Sequence, residues 1–140
     1  MRRIDVLTLA VDDLQRALQF YGEVLGVASR GVVGTQYEGD AINAAGAMVP
    51  FALDGEMTLC LYPRSELAKD AGVASSSPHP GEFSIGHLVA SRDEVDAVLA
   101  RAQAAGATLP AAARERPWGI YSGYFQDLDG HLWEIIFNPD

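Results

Sequence analysis

Two residues in the C-terminal half of the chain, His87 and Glu134, are of types that could carry chemistry. Each lies in a run that predicts a β-strand, and side chains alternate between the two faces of a strand. We expect Leu88 and Ala90 to pack on a helix, which turns His87 to the other face, and the apolar neighbours of Glu134 turn its carboxylate the same way. The pair is therefore predicted to share one surface, as an acid/base pair or as ligands of a divalent metal.

Aromatic and polar side chains are predicted to surround this pair and to contact an organic ligand. Trp118 lies in a loop, and the tyrosines near it either line a ligand site or pack the hairpin. The predicted ligand contacts are Trp118, Tyr121, Tyr124, Tyr62, Asn138, Thr8 and Thr58. Arg64 and Arg116 are interpreted as surface charges, with contact to an anionic substrate as the alternative, and His79 and His131 as solvent-exposed residues.

The N-terminal half supplies the first set of elements that would position these side chains. Residues 4–11 predict a strand, and a helix follows that Asp12 caps and Gly26 ends. The apolar stripe of this helix is Leu14, Leu18, Tyr21 and Leu25. Two further runs flank Asp54-Gly55, which is a tight hairpin signal. Residues 32–37 predict a weaker strand, because the run is short and flanked by glycine.

The C-terminal half repeats this order. A strand at 84–91 precedes a helix that opens with a capping box from Ser91 to Glu94 and ends at Gly106. Its apolar stripe is Val95, Val98, Leu99 and Ala102. A second hairpin turns at Asp129-Gly130. The fold class is therefore predicted to be α+β, with two tandem βαβββ modules forming a half-open, barrel-like sheet with helices outside. Residues 1–140 form one domain, with module one at about 1–66, a linker at about 67–82 and module two at about 83–140.

This pattern resembles the vicinal oxygen chelate superfamily, which includes glyoxalase I, bleomycin-resistance proteins, fosfomycin-resistance enzymes and extradiol dioxygenases. The resemblance is carried by the doubled unit and by three motifs: Val11-Asp12-Asp13-Leu14 with its downstream Phe20-Tyr21 and Leu25-Gly26, Gly86-His87-Leu88, and Asp127-Leu128-Asp129-Gly130 running to Glu134. It implies metal ligands on the first and last strands of each module. His87 and Glu134 match the two positions of module two.

Module one departs from the superfamily pattern, since its corresponding positions are Val6 or Thr8 and Thr58 or Leu59. None of these is a usual ligand of a divalent metal. No cofactor is therefore expected, and a divalent metal held by His87 and Glu134 is the alternative. The favoured function is binding of a small, partly aromatic organic molecule, as in the bleomycin-resistance branch. The rival is a lyase, isomerase or dioxygenase-type enzyme that uses Glu134 and His87.

Charge and composition narrow the range of partners. The chain has 10 Lys+Arg against 19 Asp+Glu, a net charge of −9, which argues against binding to nucleic acid or to an anionic membrane surface. Cys60 is the single cysteine, so no internal disulfide forms. We expect a cytoplasmic protein, and the resemblance implies a homodimer.

Overall fold

The computed structural model describes all 140 residues, which divide into two units, Met1–Ser77 and Pro78–Asp140. The first unit contains β1 (Val6–Val11), α1 (Leu14–Leu25), β2 (Val49–Ala52), β3 (Thr58–Pro63) and α2 (Arg64–Ala71). Its sheet has the order β1-β3-β2, with β1 parallel and β2 antiparallel to β3. A 3-10 turn at Asp54–Glu56 joins β2 to β3, and Gly55 supplies the positive φ that this turn requires.

Alternation along β1 and β3 produces the core of the first unit. Leu9 pairs with Leu61 and Leu7 with Leu59, so these residues lie on one face of the sheet, and α1 packs against β3. The fully buried members of this core include Leu9, Val11, Phe20, Tyr21, Val49, Phe51, Leu59 and Leu61. The predicted sorting of β1 and β3 is confirmed.

The second unit contains β4 (Ile85–Val89), α3 (Arg92–Ala104), β5 (Thr108–Glu115), β6 (Tyr121–Gln126) and β7 (Leu132–Phe137). Its sheet has the order β4-β7-β6-β5, with β4 parallel to β7 and the other pairs antiparallel. One face packs on α3. A Cβ built on Gly123 would lie 2.6 Å from Leu99 Cδ1, so β6 approaches the helix too closely there for a larger residue. The fold class is α+β, as predicted, and neither sheet closes into a barrel.

Three local predictions for the first unit are wrong. Asp13, not Asp12, caps α1, because its extended backbone lets Oδ1 accept a hydrogen bond from Arg16 N at 2.9 Å. The buried face of α1 centres on Ala17, Phe20, Tyr21 and Val24, and three members of the predicted stripe are only half-buried: Leu14, Leu18 and Leu25. The predicted strand at 32–37 reduces to a single bridge between Val33 and Met48.

Helix α2 was not predicted, and it occupies the end of module one and the start of the proposed linker. Arg64 anchors its first turn, since Nε donates to Asp12 Oδ1 at 2.9 Å and Nη2 donates to Ala10 O at 3.2 Å. The interpretation of Arg64 as a surface charge is therefore wrong. No helix in the chain is long and apolar enough to cross a membrane.

In the second unit, the predicted helix and hairpin are confirmed. Ser91 caps α3 by accepting from Glu94 N, and Glu94 Oε2 accepts from Ala90 N. The β6–β7 turn is closed by Asp127, whose Oδ1 accepts from His131 N at 2.8 Å and whose Oδ2 lies 2.7 Å from His131 Nδ1. The side chain of His131 is thus mostly buried, which corrects its prediction as a solvent-exposed residue.

Candidate functional site

A polar cluster lies on the face of the second sheet that α3 does not cover. Tyr124 on β6 is the register partner of Glu134 on β7, and Ser122 is the partner of Ile136. Cross-strand partners point to the same face, so these four side chains share one surface. The alternate residues of the same strands, among them Phe125 and Trp133, lie on the α3 side and are buried.

Ser122 stands at the centre of this cluster. Its Oγ donates to Glu134 Oε1 at 2.9 Å, and it accepts from Arg116 Nε at 3.1 Å. Arg116 Nη2 also donates to Ser122 O at 2.9 Å. Ser122 is 0% and Arg116 8% exposed, whereas Glu134 is half-buried. The carboxylate therefore has one oxygen held from the interior of the unit and remains partly open to solvent.

Tyr124 completes the cluster. The Arg116 guanidinium lies over its ring, 5.7 Å from the centroid, a geometry that favours a cation–π contact. Burial raises the pKa of the Tyr124 hydroxyl, the negative charge of Glu134 and a hydrogen bond to it raise that pKa further, and the Arg116 charge lowers it. Tyr124 is therefore a neutral phenol near pH 7, next to a carboxylate.

A short turn places Arg116 in this cluster. β5 ends at Glu115, and Arg116 N then donates to Ile120 O at 2.7 Å while Gly119 N donates to Arg116 O at 2.9 Å. Gly119 has φ 95°, which a residue with a Cβ rarely adopts. The closed turn directs the Arg116 side chain onto β6, so the interpretation of Arg116 as a surface charge is wrong.

His87 does not share a surface with Glu134. Its register partner is Ile135, and Glu134 pairs with Gly86, so the two side chains lie on opposite faces of the sheet. The prediction failed because it assigned Leu88 and Ala90 to the helix side of the strand. Counted from the observed caps, His87 lies four residues before Ser91, just as Leu9 lies four before Asp13, and Leu9 is a core residue. Leu88, expected to pack on the helix, is 68% exposed on the Glu134 face.

The other predicted contacts in the second unit occupy separate places. Tyr121 lies on the α3 side, where its hydroxyl donates to Asp96 Oδ1 at 2.7 Å and this bond raises its pKa. Trp118 is 71% exposed in the turn between β5 and β6. Asn138 is exposed and accepts from Asp140 N. Only Tyr124 of the predicted aromatic contacts joins Glu134.

The predicted contacts in the first unit share one face of its sheet. Val6 pairs with Thr58, Thr8 with Cys60, and Ala10 with Tyr62. Thr8, Thr58 and Tyr62 are half-buried, and burial raises the pKa of the Cys60 thiol. The Tyr62 hydroxyl donates to Ala45 O, and burial raises its pKa, as do the charges of Asp70 and Glu66. This face carries hydroxyl groups and a thiol but no carboxylate.

The residues do not fit a protein-held divalent metal. No group of three or more His, Cys, Asp or Glu side chains comes together in a way that could bind one. In the second unit His87 and Glu134 diverge, and in the first unit the corresponding strands present Val6 beside Thr58.

Sequence reasoning did not single out Ser122, and it interpreted Arg116 as a surface charge, with contact to an anionic substrate as the alternative. Strand alternation could have placed Ser122 beside Tyr124, two residues away, because both lie in the run that predicted β6. Arg116 carried no such signal, since its position depends on the length of the turn that follows it.

Comparisons with known proteins agree with this architecture. The model of the Glyoxalase/Bleomycin resistance protein/Dioxygenase superfamily matches residues 3–135. A glyoxalase-related enzyme from Fulvimarina pelagi is 32% identical, with a TM-score of 0.80 over 99% of this chain and 90% of that one. No curated protein matches the chain at a significant level.

Two more distant structures show the same fold. Lactoylglutathione lyase from Agrobacterium tumefaciens is 24% identical, with a TM-score of 0.65 over 98% of this chain and 94% of that one. The fosfomycin resistance protein FosX from Listeria monocytogenes is 20% identical, with a TM-score of 0.69 over 99% and 94% of the two chains.

Proposed function

The chain belongs to the Glyoxalase/Bleomycin resistance protein/Dioxygenase superfamily, and on that premise we propose that it binds a small, partly aromatic organic molecule on the Glu134 face of its second sheet. One observation carries the proposal: the half-buried Glu134 carboxylate accepts a hydrogen bond from Ser122, which Arg116 in turn contacts, beside the neutral hydroxyl of Tyr124. An oriented carboxylate beside a phenol suits a ligand that offers a hydrogen-bond donor.

Apolar surface next to this polar group supports the same proposal. Leu88 and Ile136 lie on the Glu134 face, and Gly86, the register partner of Glu134, presents no side chain. Organic ligands are commonly bound by apolar side chains with a few oriented polar groups. Trp118, exposed in the adjoining β5–β6 turn, is proposed as an aromatic contact. The Thr8, Thr58 and Tyr62 face of the first unit is proposed as a weaker, uncharged contact surface.

Titration with bleomycin, catechol and benzylamine, followed by amide NMR shifts, tests the proposal. We expect at least one probe to shift the amides of Ser122, Tyr124 and Glu134, and Glu134→Gln to weaken its binding about tenfold, the effect of losing one charged hydrogen bond. The matched control is Asp96→Asn, which lies on α3, away from the Glu134 face, and should leave the affinity unchanged. Binding that is equal in wild type and Glu134→Gln, or no binding of any probe at millimolar concentration, contradicts the proposal.

Proton transfer by Glu134 is the second candidate function, and the Tyr124 hydroxyl beside its carboxylate is the observation that favours it. A carboxylate next to a phenol could take a proton from a carbon adjacent to a carbonyl while the phenol donates to the carbonyl oxygen. Exchange of S-lactoylglutathione in D₂O tests it by NMR. We expect deuterium at the carbon next to the thioester with wild type and none with Glu134→Gln; no exchange with wild type removes this candidate.

We propose a cytoplasmic homodimer without a stoichiometric metal. Light scattering of purified protein measures its mass in solution, which tests the dimer. Elemental analysis after dialysis measures the metal content per chain. One tightly bound Zn, Fe or Mn per chain contradicts the metal-free site.

A further inference from the structure

We infer that Arg116 and Ser122 are positioning residues, which hold the Glu134 carboxylate in one orientation beside Tyr124. This inference rests on the proposed function in one respect only: it takes Glu134 as the group that meets the ligand. It assigns a role to two buried residues that do not themselves meet the ligand.

The chemistry of the donors fixes the direction of each hydrogen bond. A guanidinium only donates, so Arg116 Nε occupies an acceptor site of Ser122 Oγ at 3.1 Å. A carboxylate only accepts, so the Ser122 hydroxyl hydrogen points to Glu134 Oε1 at 2.9 Å. Because Ser122 is 0% exposed, water does not compete for that hydrogen. Arg116 thus determines where the hydroxyl hydrogen lies, and the hydroxyl determines where the carboxylate lies.

The geometry of Arg116 makes this arrangement rigid. Its Nε and Nη2 donate to the side chain and the backbone carbonyl of the same residue, Ser122. Two bonds from one planar group define its plane as well as its position. The ring of Tyr124 lies against the guanidinium at 5.7 Å. A lysine would keep the charge but could not reproduce this fork.

The hydrogen bonds from Arg116 to Ser122 and from Ser122 to Glu134 form a relay, and titration of Tyr124 reports on this relay without any ligand. Glu134 raises the pKa of Tyr124 and Arg116 lowers it. With ¹³Cζ-labelled tyrosine, and Tyr124→Phe to assign the signal, we expect Glu134→Gln to lower the Tyr124 pKa. The test is the size of that drop in three backgrounds: wild type, Ser122→Ala and Arg116→Lys.

If the relay positions Glu134, the drop shrinks to less than about half in Ser122→Ala, because the free carboxylate turns away from Tyr124, and pairs acting through one network are not additive. Arg116→Lys should shrink it in the same way despite its retained charge. Tyr121, on the α3 side, should titrate identically in all backgrounds and serves as the internal control. A drop of undiminished size in either background overturns the inference.

Two provisions keep the outcome decisive. If Ser122→Ala fails to fold, as judged by circular dichroism, Arg116→Lys and Ser122→Cys, which keeps the size of the residue and a weak donor, carry the test. Since no ligand is added, failure of the three probes to bind contradicts the proposed function alone. An undiminished Tyr124 response contradicts the positioning role alone.

Discussion

The two units share the arrangement of strands around their last strand and differ in what the sheet face away from the helix carries. In each, the first strand runs parallel to the last, the strand before the last is antiparallel to it, and a helix follows the first strand. In unit one the face away from the core presents Thr8, Thr58 and Tyr62, whereas in unit two it presents Glu134, which accepts a hydrogen bond from Ser122. Packing of the helix constrains one face in both units, which leaves the other face free to differ.

The core faces should behave alike in the two units, and this is the largest effect expected. Phe51 is 0% and Phe125 1% exposed, so truncation of either to alanine leaves a cavity. We expect Phe51→Ala and Phe125→Ala each to lower the free energy of unfolding by about 3–5 kcal/mol. Urea denaturation measures this, with Phe83→Ala as the exposed control. A cost below about 1 kcal/mol in one unit alone would show that the two cores are not equivalent.

A glycine on each face of the unit-two sheet, Gly123 on the α3 side and Gly86 on the Glu134 side, allows the packing of the two faces to be compared. A Cβ on Gly123 would lie 2.6 Å from Leu99 Cδ1 and 2.9 Å from Ala113 N, whereas a Cβ on Gly86 would lie 3.5 Å from Ile136 Cδ1. We expect Gly123→Ala to destabilise by about 1–3 kcal/mol, the usual cost of overpacking. Gly86→Ala, on the Glu134 face, should change thermal stability little. Equal losses of stability in the two variants would mean that the α3 side of the sheet is packed no more tightly than the Glu134 side.

Asp13 and Ser91 are the N-caps of the helix that follows the first strand in each unit. Their substitution tests whether the two residues are equivalent. Each side chain accepts a hydrogen bond from a backbone N–H in the first turn of its helix. We expect Asp13→Ala and Ser91→Ala each to cost about 1 kcal/mol in denaturant unfolding. Gln19→Ala and Gln103→Ala, at exposed positions within the helices, are the controls. A loss of stability in Ser91→Ala without one in Asp13→Ala would show that the two caps are not equivalent.

The sequence predicted the parts of the fold that local physics determines. Periodicity placed α3 and its buried stripe, and the Asp-Gly pairs placed both hairpins. It failed where one residue of register decides the outcome: Asp12 was chosen instead of Asp13 as the cap of α1, and Leu88 was chosen instead of His87 for the helix side of β4. The strand at 32–37 was lost because its few apolar residues form only one bridge, Val33 with Met48.

The candidate site was predicted in part, through Glu134 and Tyr124. Alternation along β6 and β7 is sufficient to put these two side chains on one face. Arg116 could not be predicted from local patterns, because a closed turn outside the strand brings it back over β6. The sequence alone does not distinguish a buried arginine from an exposed one when its position depends on the conformation of a turn.

The segment between helix and hairpin differs most between the units, and its pH dependence is the smallest effect expected. Unit two has the strand β5 there, whereas unit one has a loop that Asp40 closes by accepting from Ile42 N and Asn43 N. Hydrogen bonds to Asn43 N and then Ile42 N lower the pKa of Asp40 from 3.8 to about 2. Because the folded pKa is the lower one, the turn is fully favoured above pH 4 and is lost as the pH falls through about 2.

Amide NMR between pH 6 and 1.5 measures this effect. The Ile42 and Asn43 signals should move together with a midpoint near 2, while amides of β5, such as that of Ala111, stay unchanged because no carboxylate turn closes that strand. Asp40→Asn removes the titration, yet an asparagine side-chain oxygen can still accept both bonds, so the loop should keep its shape. A midpoint near 4 for Asp40 would mean that the loop in unit one is open, and that the contrast with β5 is between order and disorder instead of between two ordered structures.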